Sequence, residues 1–104
     1  MTQKADLSRD EIVASLRGLE AALRKGGVTG LSIFGSRSRG DARPDSDLDV
    51  LVDIDPNATF SLRDLFGVQH IIEDAVGIET QATLRSELNA RITERIADDL
   101  IKVF

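Results

Sequence analysis

The sequence contains no cysteine, no tryptophan and no tyrosine. Without cysteine there is neither a disulfide framework nor a thiolate metal site, which fits a reducing compartment. With four phenylalanines as its entire aromatic content, the core must be built of Leu, Ile, Val and Ala. No apolar run approaches membrane-spanning length, and the opening Met1-Thr2-Gln3-Lys4-Ala5-Asp6 has no apolar signal segment. A soluble cytoplasmic protein is the expectation. An excess of basic residues is lacking too: the net charge is −5 and the pI about 4.7. Binding a long nucleic-acid backbone needs a basic face, so the charge argues against an extended nucleic acid as the main partner. No repeat, low-complexity segment or linker interrupts the chain.

What is present suffices for one domain over residues 1–104. Hydrophobic residues make up 41%, too many for a disordered chain. Ser8-Arg9-Asp10-Glu11 reads as a capping box. Ile12, Leu16, Leu19 and Leu23 follow at helical spacing, and Gly26-Gly27 ends that helix. Val28 to Phe34 is an apolar, β-branched run, hence a strand. From residue 35 to 45 the spacing predicts a turn with one helical turn inside it. From Asp47 to Ile54 the residues alternate, with Leu48, Val50, Val52 and Ile54 on one face and Asp47, Asp49, Leu51 and Asp53 on the other. A second long helix is predicted from Ser61 to Val76, with Leu62, Leu65, Phe66, Ile72 and Val76 near its buried stripe. Residues 78–84 read as a third strand. A last helix is predicted from Ser86, with Leu88, Ile92, Ile96, Leu100 and Val103 facing inward. The predicted order is helix, strand, turn, strand, helix, strand, helix.

The chemistry concentrates in Gly35-Ser36-Arg37-Ser38-Arg39-Gly40-Asp41-Ala42-Arg43-Pro44-Asp45-Ser46-Asp47-Leu48-Asp49. Asp47 and Asp49 share one strand face, roughly 6.6 Å apart along the backbone. Two ionised carboxylates that close either face water or hold a cation. Oxygen ligands on a rigid strand suit Mg²⁺, which completes its shell with water and substrate phosphates. A charged edge strand that blocks aggregation is the alternative. The Gly35-Ser36 turn upstream decides for a site, because metal and phosphate sites need each other. Gly35 permits a backbone geometry that brings amides close to an oxyanion, and Ser36 offers a hydroxyl and an N–H where a short helix starts. Arg39 or Arg37 would neutralise a triphosphate, or would be ordinary solvated charge. Ser46 serves either the site or the turn. Gly40 and Pro44 shape the loop.

This segment, with Phe34 before it, resembles the nucleotidyltransferase motif of the DNA polymerase beta superfamily. It resembles more narrowly the minimal nucleotidyltransferases (MNT): Gly-Ser, a loop of fixed length, then Asp-x-Asp. The resemblance covers nearly the whole chain. It implies an α+β nucleotidyltransferase fold, with a small mixed sheet flanked by helices. It also implies a nucleoside triphosphate, ATP or another, with Mg²⁺ at the motif. Asp47 and Asp49 then bind metal and serve catalysis, while Gly35 and Ser36 hold the β- and γ-phosphates. Arg39 and Ser46 complete the nucleotide-binding set. Many such proteins pair with a separate all-helical HEPN protein, as antitoxin to its toxin, and some transfer AMP from ATP onto it.

The resemblance also implies a third carboxylate on the neighbouring strand. Laid on Thr80-Gln81-Ala82-Thr83-Leu84, the pattern puts Gln81 where an aspartate is expected. Glu79, two residues earlier and on the same face, is the candidate third catalytic carboxylate or a surface strand residue. Its backbone lies roughly 6.6 Å along the strand, so only a bulge or register shift brings it into place. His70 sits within a helical pattern and does not fill the gap. Two functions follow. One is Mg²⁺-dependent transfer of a nucleoside monophosphate, AMP above all, to a HEPN-type partner protein. The other is a catalytically impaired, nucleotide-binding antitoxin that masks such a partner. Val103 and Phe104 are either part of a docking surface or core.

Overall fold

A computed structural model describes residues 7–104; the reading of residues 1–6 as free of a signal segment lies outside that span. Ser8 caps α1 (Arg9–Arg17), its Oγ accepting the Glu11 N–H at 3.2 Å while Glu11 Oε1 accepts the Ser8 N–H at 3.1 Å. The expected single first helix is in fact two: α1 stops at Gly18 and α2 spans Glu20–Lys25. Glycine costs about 1 kcal/mol in a helix interior. The break re-aims the chain, so that Ile12 and Leu16 of α1 and Leu23 of α2 are all buried.

The sheet has the order β3-β2-β1-β4. Strand β1 (Val28–Phe34) pairs antiparallel with β2 (Leu48–Ile54). Strand β3 (Thr80–Leu84) lies parallel to β2, reached through helix α4 (Leu62–Val76). Between β1 and β2 lies the short helix α3 (Ser36–Arg39). Leu31 and Ile33 of β1 and Leu48, Val50 and Val52 of β2 join Ile12, Leu16, Leu65 and Ile72 in one core. Leu51 is fully buried yet stands outside that core, on the face shared with Asp49 and Asp53.

Ser61 caps α4 through a capping box with Asp64, and Gly77, at φ 67°, ends it. Leu65, Val68, Ile72 and Val76 form its buried stripe. Leu62 and Phe66, expected inside, are 66% and 49% exposed; Phe66 lies about 100° round the helix from Leu65. At the edge strand β3, the Ala82 N–H donates to Gln69 Oε1 at 3.0 Å. A helix side chain thus satisfies an edge amide that would otherwise invite pairing.

The C-terminal segment is not the single helix expected from Ser86 onward. In place of one helix there is a 3₁₀ turn Arg85–Glu87, helix α5 (Ala90–Ile96), a 3₁₀ turn Ala97–Asp99, and strand β4 (Ile101–Lys102) antiparallel to β1. No α5 residue is fully buried. Leu31 explains the strand: its carbonyl accepts the Val103 N–H at 2.8 Å, and its N–H donates to the Phe104 carbonyl at 3.1 Å. The open edge of β1 needs these partners, and pairing there wins over helix continuation. Val103 is buried and Phe104 packs against the core, so this region belongs to the interior. Among the described residues no helix is long and apolar enough to cross a membrane.

Candidate functional site

β1 delivers the chain to Gly35, whose φ of 75° and ψ of −158° start α3. The Gly35 carbonyl accepts the Ser38 and Arg39 N–H groups at 3.1 and 3.0 Å. Ser36 is the first helical residue, so its N–H has no partner within the helix. Gly40, at φ 85°, closes α3 in a left-handed turn. Phe34 is the register partner of Asp49, which brings Gly35 against that aspartate.

The loop back to β2 is held by an interaction that the sequence did not reveal. Arg37 is only 6% exposed. Its Nη2 donates to the Ser46 carbonyl at 2.7 Å and to the Pro44 carbonyl at 3.3 Å, and its Nε donates to Ser46 at 3.2 Å. It braces the turn before Asp47 rather than standing in solvent. Ser46 does the same from the other end: its Oγ accepts the Arg43 N–H at 2.9 Å, and its own N–H donates to the Arg43 carbonyl at 2.9 Å. Backbone carbonyls as partners leave no signature in sequence.

Asp47 and Asp49 are both partly buried at the start of β2. Burial, and then the charge of Asp47, push the Asp49 carboxyl above its ordinary value, while Arg39 pulls it back. An ionised pair so placed is electrostatically uncomfortable when alone, and a cation between the two relieves it. Gln81 is the β3 register partner of Asp49. Glu79 is exposed and lies beside Leu48, whose N–H its carbonyl accepts at 2.8 Å. Among the described residues no group of three acidic or imidazole side chains is placed to hold a metal ion. The donor set is two carboxylates with an amide beside them. His70 is exposed on α4.

Arg39 is exposed and already engaged. Its Nε pairs with Asp41 at 3.1 Å and its Nη1 with Asp99 at 2.8 Å, and these bonds raise its pKa. Asp99 lies 60 residues from Arg39 along the chain, so no local pattern in the sequence points to the pair. Its backbone carbonyl also accepts the Ser38 hydroxyl, and the Ser38 carbonyl accepts Arg9 Nη1 at 3.0 Å. Helix α3 is therefore held from α1 and from the turn before β4.

The sequence matches the family model of the nucleotidyltransferase domain over residues 16–103. It is 30% identical over 100 residues to the protein adenylyltransferase MntA of Thermococcus cleftensis, covering 95% of this chain and 99% of that protein. Its structure is similar to that of a proposed minimal nucleotidyltransferase, with TM-score 0.77, 26% identity, and coverage of 92% of this chain and 96% of the other. It shares the fold of a chain in the complex of a tri-AMPylated Shewanella oneidensis HEPN toxin with an MNT antitoxin, at TM-score 0.62 and 12% identity, over 88% of this chain and 71% of that one.

Proposed function

The chain belongs to the nucleotidyltransferase domain family, and from that premise we propose that it transfers AMP from ATP to a hydroxyl on a separate protein. The observation that carries this reading is the placing of Asp49 against Gly35: a half-buried carboxylate pair adjoins the turn that opens α3. Gly35 and Ser36 receive the β- and γ-phosphates on backbone amides, with Arg39 adding charge once released from Asp41 or Asp99. Asp47 and Asp49 would hold Mg²⁺, which neutralises the triphosphate and polarises the phosphorus under attack. The acceptor oxygen attacks the α-phosphorus and loses its proton to solvent. The bond from the α-phosphorus to the bridging oxygen breaks, and pyrophosphate leaves with the electron pair. Residues 16–103 match one nucleotidyltransferase domain, and the acceptor docks onto it as a separate molecule. A HEPN-type protein is the proposed partner. Support comes from the similarity to a protein adenylyltransferase and to a chain of a complex with an AMPylated HEPN toxin.

A second reading is favoured by Gln81. An amide beside Asp49 cannot take up a proton usefully or add charge to a metal site. Triphosphate binding then outlives the chemistry, and the protein acts by masking its partner. Incubation with labelled ATP, Mg²⁺ and a HEPN-type protein tests the first reading; label on the partner is the expected result. For either reading, ATP with Mg²⁺ should stabilise the fold by about 2.7 kcal/mol at 100 times its dissociation constant. Asp47→Asn with Asp49→Asn should remove the metal-dependent part. A shift unchanged in that double variant would place the nucleotide elsewhere.

A further inference from the structure

Leu51 divides the sheet face that carries Asp49. It is fully buried, and beyond it Asp53 stands near the far end of β2. There a hollow of about 550 Å³ opens, within the range of small-ligand sites. None of Gly35, Ser36, Asp47 and Asp49 lines it, so it is a compartment apart from the transfer site.

The floor of the hollow holds a hydroxyl without a partner. Ser32 of β1 lines it and is only 6% exposed. Among the described residues no group bonds the Ser32 side chain, and no side-chain polar atom sealed from solvent is left unpaired. The Ser32 Oγ therefore opens into the hollow. Buried hydroxyls are as a rule hydrogen-bonded, so this one is satisfied by whatever enters.

Around that hydroxyl the lining is cationic, on a protein of net charge −5. Arg24, Arg85 and Lys102 line the hollow against one carboxylate, Asp53. Arg85 grips Asp53 through Nε at 2.6 Å and Nη2 at 3.3 Å. Arg24 Nε pairs with Glu20 at 2.6 Å, and its Nη1 donates to the Thr29 carbonyl at 3.2 Å. A guanidinium has five N–H donors, so these bonds fix both groups and leave donors over. Among the described residues Lys102 forms no ion pair. With Glu20 and Asp53 offsetting the two arginines, the charge of Lys102 remains.

We propose that this hollow binds a phosphoryl group, as free phosphate or carried on a small metabolite. Its donors come from four places: Ser32 on β1, Arg24 on α2, Arg85 in the turn after β3, and Lys102 on β4. A planar carboxylate is best met by one guanidinium fork, and the Nε edge of both guanidinium groups is already engaged. Donors spread over separate elements suit a tetrahedral oxyanion, which offers each of them an oxygen. The Ser32 hydroxyl donates to the innermost oxygen, and Lys102 supplies the unclaimed charge. The site goes beyond the transfer reaction and stands whether or not the protein transfers AMP.

Inorganic phosphate tests it, titrated into the intact, isotopically labelled protein without Mg²⁺ at constant ionic strength. By NMR the amide signals of Ser32 and Lys102 should shift together and saturate. Lys102→Glu and Ser32→Ala should each weaken binding read at the remaining signals by about tenfold, as expected for one hydrogen bond to a charged group. The spectra themselves show that each variant is folded. Acetate at the same concentrations should leave the signals in place. Glucose 6-phosphate separates the two sources: tighter binding than phosphate marks a phosphorylated metabolite, and equal or weaker binding marks free phosphate. No saturable shift at Ser32 and Lys102, shifts confined to Gly35 and Ser36, an equal response to acetate, or affinity unchanged in a folded variant overturns the site.

Discussion

A Cβ placed on Gly35 would lie 2.5 Å from Oδ2 of Asp49. The turn that opens α3 and the second aspartate of the site thus occupy touching volumes. The close approach and the φ of 75° each demand glycine.

Gly35→Ala should therefore fail twice. The backbone strain costs about 1–3 kcal/mol, roughly 4–8 °C of melting temperature per kcal/mol in a domain of this size. The Asp49 carboxylate must also swing away, so the ATP-with-Mg²⁺ stabilisation should vanish even at temperatures where the variant is folded. Differential scanning fluorimetry with and without ligand checks both. An intact ligand shift would mean that the contact between Gly35 and Asp49 is irrelevant to binding.

Arg37→Ala should cost about 2–4 kcal/mol, because the Ser46 and Pro44 carbonyls lose their donor and a buried side-chain volume empties. Arg37→Lys should recover only part of it, since one ammonium cannot replace a planar fork reaching two carbonyls. Urea denaturation of the three proteins gives the comparison. A fully stable lysine variant would show that charge alone, without geometry, holds the loop.

Burial and Asp47 raise the Asp49 carboxyl above its unfolded value. The folded protein therefore holds that proton more tightly than the unfolded chain does. Stability contributed by the protonated form is lost as pH rises through the raised value. Without metal, Asp49→Asn should melt higher than wild type at pH 7. The gap should close as pH falls toward the ordinary carboxylate value of about 3.9. A variant that melts lower than wild type at pH 7 would contradict this account.

Arg39 is shared between Asp41 and Asp99, and a triphosphate would compete for it. Asp99→Asn keeps the backbone carbonyl that receives the Ser38 hydroxyl and removes only the charge. The ion pair is partly exposed, so the stability change should stay within about 1 kcal/mol. ATP affinity measured by calorimetry should rise by about two- to fivefold, the binding equivalent of up to about 1 kcal/mol. Weaker ATP binding would instead make Asp99 a support for Arg39.

The parts of the site legible in sequence were local. Gly35, Asp47 and Asp49 are joined by strand alternation and a turn, and the capping box at Ser8 lies within four residues. What escaped was decided through space. Asp99 reaches α3 across 60 positions, and Arg37 finds backbone carbonyls that any residue could supply. Strand β4 is two residues long, too short for a periodic signal, and exists because β1 offers an open edge. Leu62 and Phe66 read as core because apolar character predicts burial only on average.

Gln81 separates the two functions. It is the register partner of Asp49 on the neighbouring parallel strand, the position at which a carboxylate would enlarge the donor set without a bulge. Gln81→Asp should lower the stability of the metal-free protein, since a third negative charge joins a pair that already raises the Asp49 pKa. It should leave ATP affinity nearly unchanged, because in the proposed function the triphosphate would be held by Gly35, Ser36 and the two native aspartates. Its effect should fall on turnover. Restoring a group that assists the acceptor's deprotonation is worth about 10²–10⁴-fold, or roughly 3–5 kcal/mol of barrier, readily seen as label on the acceptor protein. If wild type is already fully active and Glu79→Gln silences it, the third carboxylate comes from Glu79 by local movement. If neither substitution alters transfer while the protein still neutralises its partner, masking rather than chemistry is the function.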